Sequence, residues 1–396
     1  MVDRRTLLRT SLQLTLLAPF ARLANAAADK NSRFVLVILR GALDGLAACA
    51  PYAESQYHNL RGPLALGAPG TEGGVLKLDG TFGLHPSLTN LHALYQAHEL
   101  TVLHAVATPY RERSHFDAQK VLEAGKLTPA ATDGGWLNRA LAAMHGAGDK
   151  RGAVALNDTV PLVLRGDVEV NTWAPSRLAN ADEDLLARVR RLYEAVDPPL
   201  ASKLNEALDA RAIAGDAANG AMGGSQQPIT PLVNAAARFL KSPEGPRIAV
   251  IDVGGWDTHA NQGGAQGNLA TRLKGLDAGI QTLKTELGPV WADTTVLVVT
   301  EFGRTVAVNG TRGTDHGTAG VAFLAGGNVK GGRVVSDWPG LAARELYQNR
   351  DLKPTTDLRR VFKSVLAERF GVAESVLERA VFPDSATAKP LEHLTA

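Results

Sequence analysis

Four short apolar runs limit what this chain can fold into. They are FVLVIL (34–39), LTVLHAV (100–106), IAVIDV (248–253) and TTVLVVT (294–300). Runs this short and this rich in β-branched residues predict strands, and their lack of polar alternation predicts burial on both faces. Between the third and fourth, Leu269, Leu273, Leu276, Ile280, Leu283 and Leu287 mark one face of a long amphipathic helix. Strand, helix, strand is a crossover unit, which implies parallel neighbours. The fold class expected is therefore α/β, a mostly parallel central sheet with helices on both faces.

In open sheets of this kind, ligand sites lie just beyond the carboxyl ends of the strands. Those ends carry chemistry here. Arg40 and Asp44 follow the first strand, and Ser114 to Asp117 follow the second. Asp257 and His259 follow the third in GGWDTH, and Glu301 and Arg304 follow the fourth. A further loop holds Asp315 and His316, ahead of a fifth strand at 321–324. Carboxylates and imidazoles from distant positions can meet along one sheet edge and bind Zn, Mn or a harder cation such as Ca. Each residue also has a plainer reading. Asp257 can cap a turn and His259 can be solvated. Ser114 suits the N-cap of a helix running to about Glu123. A serine at a helix N-terminus, near Arg111 and Arg113, also suits a nucleophile acting on an anion. Both readings of Ser114 stay open. His104 lies inside a strand and reads as a core histidine; His85, His92, His98, His145 and His393 read as core or surface residues.

Elsewhere, Pro86 opens a helix carrying Leu88, Leu91, Leu94 and Tyr95, and another helix is expected over 137–144. Residues 152–175 read as β-structure and 182–214 as two charged helices parted near Pro198-Pro199. Residues 215–227, GDAANGAMGGSQQ, read as a linker. The segment 150–228 is thus expected as an inserted helical/β cap on a single domain, 27–396. Helices are also expected at 231–240 and 356–370.

The N-terminus reads as a targeting segment. Arg4-Arg5 precede an apolar stretch from Leu12 to Leu23, and Ala24-Asn25-Ala26 forms a cleavage signal. This is similar to a twin-arginine signal peptide over 1–26, cleaved after Ala26. It implies the twin-arginine translocase as export partner, a periplasmic or secreted protein, and no transmembrane anchor in the mature form. The formal charge of +2 comes from that segment, whose four arginines outnumber its one aspartate; the rest of the chain is near −1. Bulk charge therefore argues against nucleic acid. Cys49 is the only cysteine, so no internal disulfide can form.

The motifs LRGALDGL (39–46), RERSHFDAQ (111–119), GGWDTH (254–259), TEFGRT (300–305) and GTDHGTAG (313–320) together resemble the bacterial family called domain of unknown function 1501. That family belongs to the alkaline phosphatase/sulfatase-like superfamily. The resemblance covers nearly all of 33–340. It implies one or two divalent metals and a covalent intermediate. By position, Ser114 resembles the nucleophile, while Asp257, His259 and His316 resemble one metal site. Glu301 with Asp44 resembles what remains of the other, and Asp315, next to His316, is a further candidate ligand. Two departures stand out: Arg40 replaces the Asp that usually ends the first strand, and Phe302 replaces a metal-binding His. Arginines can stabilise an oxyanion where a cation is missing, so Arg40 and Arg304 join Ser114 as candidate catalytic residues, and the expected site holds one metal or none, partly replaced by these arginines. The function implied is metal-dependent hydrolysis of phosphate or sulfate esters on a small molecule or glycan. The alternatives are a non-catalytic anion- or glycan-binding or envelope assembly protein, and a metal-binding or redox-linked export partner.

Overall fold

The computed structural model describes residues 31–129, 134–145, 152–175, 182–214 and 229–396. The expected signal peptide, Asp133 and the linker at 215–227 lie outside them. The described residues hold twelve strands, in chain order: β1 Arg33–Leu39, β2 Cys49–Ala50, β3 Leu76–Lys77, β4 Gly83–Leu84, β5 Leu100–Ala107, β6 Ala153–Leu156, β7 Asn171–Thr172, β8 Ile248–Val253, β9 Thr294–Thr300, β10 Gly320–Ala325, β11 Arg333–Val335 and β12 Thr356–Asp357. The central sheet has the order β11-β5-β10-β9-β1-β8-β6-β7, with β12 also on β5. A small sheet, β2-β4-β3, stands apart.

The apolar runs became central strands because nothing on either face wants water. In β1, Val35, Val37 and Leu39 enter one core, while Phe34, Leu36 and Ile38 enter the other. The helices Thr89–Gln96, Ile229–Lys241 and Asn268–Leu287 cover the first face. Trp136–His145 and Leu358–Phe370 cover the second. The expected crossover is present, but β8 and β9 are not neighbours. β1 lies between them, parallel to both. Residues from within the expected cap also join the sheet: β6 pairs in parallel with β8, and β7 with β6. The run around Val163 is not a strand but the single 3-10 turn Leu162–Leu164. The two charged helices appear as Glu183–Val196 and Pro198–Ala214. Among the described residues no helix is long and apolar enough to cross a membrane.

One reversal decides where the site forms. β10 runs antiparallel to both β9 and β5. Its start therefore lies at the edge where β1, β5, β8 and β9 end. The loop between β9 and β10 stays at that edge, held by the Gly303 N–H to Thr318 O (2.9 Å) and the Gly317 N–H to Gly303 O (2.8 Å). Close packing of these loops demands glycine. A Cβ on Gly303 would fall 1.8 Å from Ala319 O, and one on Gly41, at φ +116°, 2.6 Å from Asp257 N.

Candidate metal centre

His115 opens the helix His115–Ala124 after β5, and Asp257 and His259 follow β8. His316 precedes β10. Their side chains meet. His115 Nε2 and His316 Nε2 lie 2.9 Å apart, as do His259 Nε2 and His316 Nε2. Asp257 Oδ1 lies 3.0 Å from His259 Nε2 and 3.3 Å from His316 Nε2; its Oδ2 lies 3.5 Å from His115 Nε2. His115, Asp257 and His316 form the tight group, each offering a ligand atom within 4.8 Å of the others. His259 joins through His316 and Asp257.

Each ring is oriented by its other nitrogen. His115 Nδ1 bonds Glu301 Oε1 at 2.7 Å, His316 Nδ1 bonds the Arg113 carbonyl at 2.9 Å, and His259 Nδ1 lies 3.3 Å from Asp315 Oδ1. A carbonyl only accepts, so His316 carries its proton on Nδ1 and turns the Nε2 lone pair inward. An ionised carboxylate has the same effect on His115 and His259. Neutral imidazole lone pairs less than 3 Å apart repel unless something positive lies between them. In a tetrahedral site with metal–ligand bonds of about 2.0–2.1 Å, ligand atoms stand roughly 3.3 Å apart, close to the spacings here. Outer acceptors on metal-binding histidines are the usual supporting shell. The residues fit a divalent cation.

The charges agree. Asp257, Glu301 and Asp315 supply three negative charges; Arg304, whose Nη1 bonds Asp257 Oδ1, and Arg350, which acts on Asp315, offset them only in part. Burial would raise the Asp257 pKa, but Arg304 outweighs it and the carboxyl stays below its ordinary range. Burial likewise works against the Glu301 charge, yet His115, Gln119 and the Gly41 N–H hold its pKa down. Asp315 is lowered mainly by Asn309. His115 is raised, chiefly by its bond to Glu301, while burial lowers His316.

The remaining sequence candidates fall at different places. Glu301 is fully buried with both oxygens engaged: Oε1 by His115, Gln119 and Gly41, Oε2 by the Thr300 hydroxyl. It supports His115 and does not face the cluster as a ligand. Asp44 lies outside the cluster. Its Oδ1 caps the helix Gly45–Ala48, and its Oδ2 takes Arg61 and Gln262. Arg40 is spent on Glu123 (2.7 Å) and on both oxygens of Asp252 (3.0 and 2.9 Å). Burial works against its charge, but these two carboxylates raise its pKa. The Arg304 side chain is fully buried and bonds Thr314 through Nε and Nη2. Neither arginine presents an uncompensated charge to an anion. Ser114 occupies the N-cap position, yet its side chain makes no capping bond. Phe302 is buried with its ring 4.8 Å from that of His115 and 5.2 Å from that of His316. A cavity of about 940 Å³ beside β6 and β7, lined by Val154, Leu164, Ile213 and Phe239 among others, includes none of these residues.

His115 is the residue that sequence reasoning passed over. It stands in RERSHFDAQ beside Ser114, and attention to the hydroxyl hid the imidazole. The available signal was its position at the first turn after a strand end, the same position that singled out Asp257.

No curated protein matches the chain. Among solved structures, the C-terminal periplasmic domain of EcEptC from Escherichia coli in complex with Zn is similar at 12% identity and a TM-score of 0.43, covering 90% of this chain and 89% of that one. The PsFucS1 sulfatase from Pseudoalteromonas sp. is similar at 13% identity and a TM-score of 0.43, covering 92% and 72%. Ps i-CgsB in complex with k-i-k-neocarrahexaose is similar at 11% identity and a TM-score of 0.43, covering 91% and 77%. Likeness at this level does not extend to the roles of residues. A family model, by contrast, matches residues 31–381, and the chain belongs to that family, described as Protein of unknown function (DUF1501).

Proposed function

We propose that this protein is an exported hydrolase of phosphate or sulfate esters built around one divalent cation. The reading is carried by one observation: three imidazole Nε2 atoms and the Asp257 carboxylate converge, with an acceptor behind each Nδ1. His115, Asp257 and His316 would hold the cation, with His259 as the fourth donor. Three nitrogens and one oxygen favour zinc, with manganese next, over calcium, which takes six to eight oxygens. Bound there, a divalent cation would polarise the ester and neutralise charge developing on the phosphoryl or sulfuryl oxygens.

A single cation suits the chain better than two. Glu301 and Asp44 are consumed by internal hydrogen bonds, and Phe302 packs against the His115 and His316 rings. Ser114, next to His115, is the nucleophile of this reading. Arg304 acts indirectly, by holding Asp257 charged and oriented. Phe116 is 81% exposed one residue past His115, placed for contact with the organic part of a substrate such as a glycan ring. The non-catalytic alternative rests on Phe302 and Arg40, and the pairing of Arg40 with Glu123 and Asp252 weakens an anion-binding role for that arginine. Export is supported by residues 1–26, whose sequence is similar to a twin-arginine signal peptide and would direct the protein to the periplasm or outside the cell.

The test is turnover of a panel of aryl phosphate and sulfate esters by zinc- or manganese-loaded mature protein, beside Ser114→Ala. Turnover that disappears in Ser114→Ala while metal stays bound supports the reading. Equal turnover in both proteins removes Ser114 as nucleophile, and none with any ester and metal argues against the enzyme.

A further inference from the structure

Three side chains of the hairpin at 347–351 grip Arg113, whose carbonyl bonds His316 of the cluster. Asp351 is fully buried and takes Arg113 Nε on Oδ2 at 2.8 Å. Gln348 Oε1 accepts from Arg113 Nη2 at 2.6 Å. The Tyr347 ring lies 5.9 Å from the Arg113 guanidinium carbon. The hairpin itself is tight. The Tyr347 N–H donates to Asp351 O (2.8 Å), the Asp351 N–H returns to Tyr347 O (3.1 Å), and Gln348 and Asn349 both have φ near +55°. It is tied to the cluster loop by the Val306 N–H to Arg350 O at 3.3 Å and by a bridge between Thr305 and Asp351.

Arg113 has φ +61°, a left-handed conformation that a residue with a Cβ adopts reluctantly. That conformation aims its carbonyl at His316 Nδ1, 2.9 Å away. We infer that the 347–351 hairpin is a positioning device for the metal centre: by clamping the Arg113 side chain it holds the Arg113 backbone left-handed, and the carbonyl so placed fixes the His316 tautomer with Nε2 facing the cluster. Asp351, Gln348 and Arg113 are then positioning residues that act through His316 and touch neither metal nor substrate. The inference rests on the metal-centre reading above and adds what sets the ligand's direction.

The experiment compares Arg113→Gly with Arg113→Ala. Both lose the guanidinium, but only glycine takes positive φ at no steric cost. The first readout is the protonated nitrogen of His316 in the metal-free full chain, from nitrogen-15 NMR of labelled histidine assigned with a His316 variant. The second is zinc affinity by competition with a chelating dye. The parent and Arg113→Gly are expected to hold the proton on Nδ1 and to bind zinc within about threefold of each other. Arg113→Ala is expected to show mixed tautomers and zinc affinity lower by about 10–100-fold, the usual effect of losing an outer-shell partner. Gln348→Ala, at the exposed hairpin tip, is expected to shift both readouts in the same direction by less, and serves if Arg113→Ala does not fold. The same tautomer and the same affinity in the parent, Arg113→Ala and Gln348→Ala would overturn the clamp. A parent that binds no zinc would instead overturn the metal centre, and the tautomer comparison would still decide the clamp.

Discussion

The helix His115–Ala124 serves two charged clusters at one sheet edge, and the two differ in what they leave over. At its start, His115 and Gln119 reach Glu301; a turn beyond, Glu123 reaches Arg40. Around Arg40 every charge has an answer within the protein. Glu123 also accepts the Val163 N–H at 3.1 Å, and Asp252 also accepts Asn157 Nδ2 at 3.0 Å. Around His115 only the outer ring nitrogens are answered, and the inner ones point at each other. Polar groups at a strand end therefore do not mark a ligand site by their presence. A cluster that balances itself holds the fold together, and a cluster that leaves lone pairs and negative charge facing inward is built for something positive.

The contrast breaks most sharply on removal of a ligand. Asp257→Ala or His316→Ala should abolish stoichiometric metal binding, measured by equilibrium dialysis, while circular dichroism stays that of a folded chain. Arg40→Met should do the reverse. Metal content should stay at the parent level, while stability in urea falls by about 3 kcal/mol, because Glu123 and Asp252 are left buried without their cation. Metal loss in Arg40→Met would show that the two clusters are coupled.

A pH series sharpens the same contrast. His104 is fully buried; it donates from Nε2 to Cys49 O at 2.9 Å, accepts the Ala105 N–H on Nδ1 at 2.8 Å, and its pKa is pushed down to about 4, mainly by burial. Between that value and its ordinary 6.5, the unfolded chain binds a proton that the folded chain refuses. Its contribution is thus fully present above pH 6.5 and is lost as pH falls towards 4, on the order of 3 kcal/mol at most. Urea titrations from pH 7 to 4 on the metal-free protein should show this loss, and His104→Gln should flatten it. Glu301→Gln comes next, with metal affinity lower by about 10–100-fold and the fold retained, since an amide still accepts from His115 without its charge. Phe116→Ala should be smallest. It should raise KM for a bulky ester and leave kcat and metal content unchanged in steady-state assays.

The sheet was legible in the sequence because burial on both faces leaves an unbroken apolar run, and β1, β5, β8 and β9 all announce themselves that way. What the runs do not carry is neighbour order or direction. The insertion of β1 between β8 and β9 and the reversal of β10 depend on packing among distant segments. β6 was legible as a strand at Ala153–Leu156 but not as part of the central sheet. At the site, Asp257, His259, Asp315 and His316 were legible as candidates, because each follows or precedes a strand. Whether a donor is already taken was not legible. The partners of Arg40, Asp252 and Glu123, stand 212 and 83 positions away, and Gln262, which occupies Asp44, stands 218 away. No local pattern encodes such pairings.

The central claim is that the histidine cluster holds one divalent cation, and metal content tests it most directly. The protein without residues 1–26 and its His259→Ala/His316→Ala variant would be measured by plasma mass spectrometry, with folding of both checked. The account expects close to one equivalent of zinc or manganese in the parent and none in the double variant. A folded parent that carries no metal and takes up none on addition of zinc or manganese would contradict it.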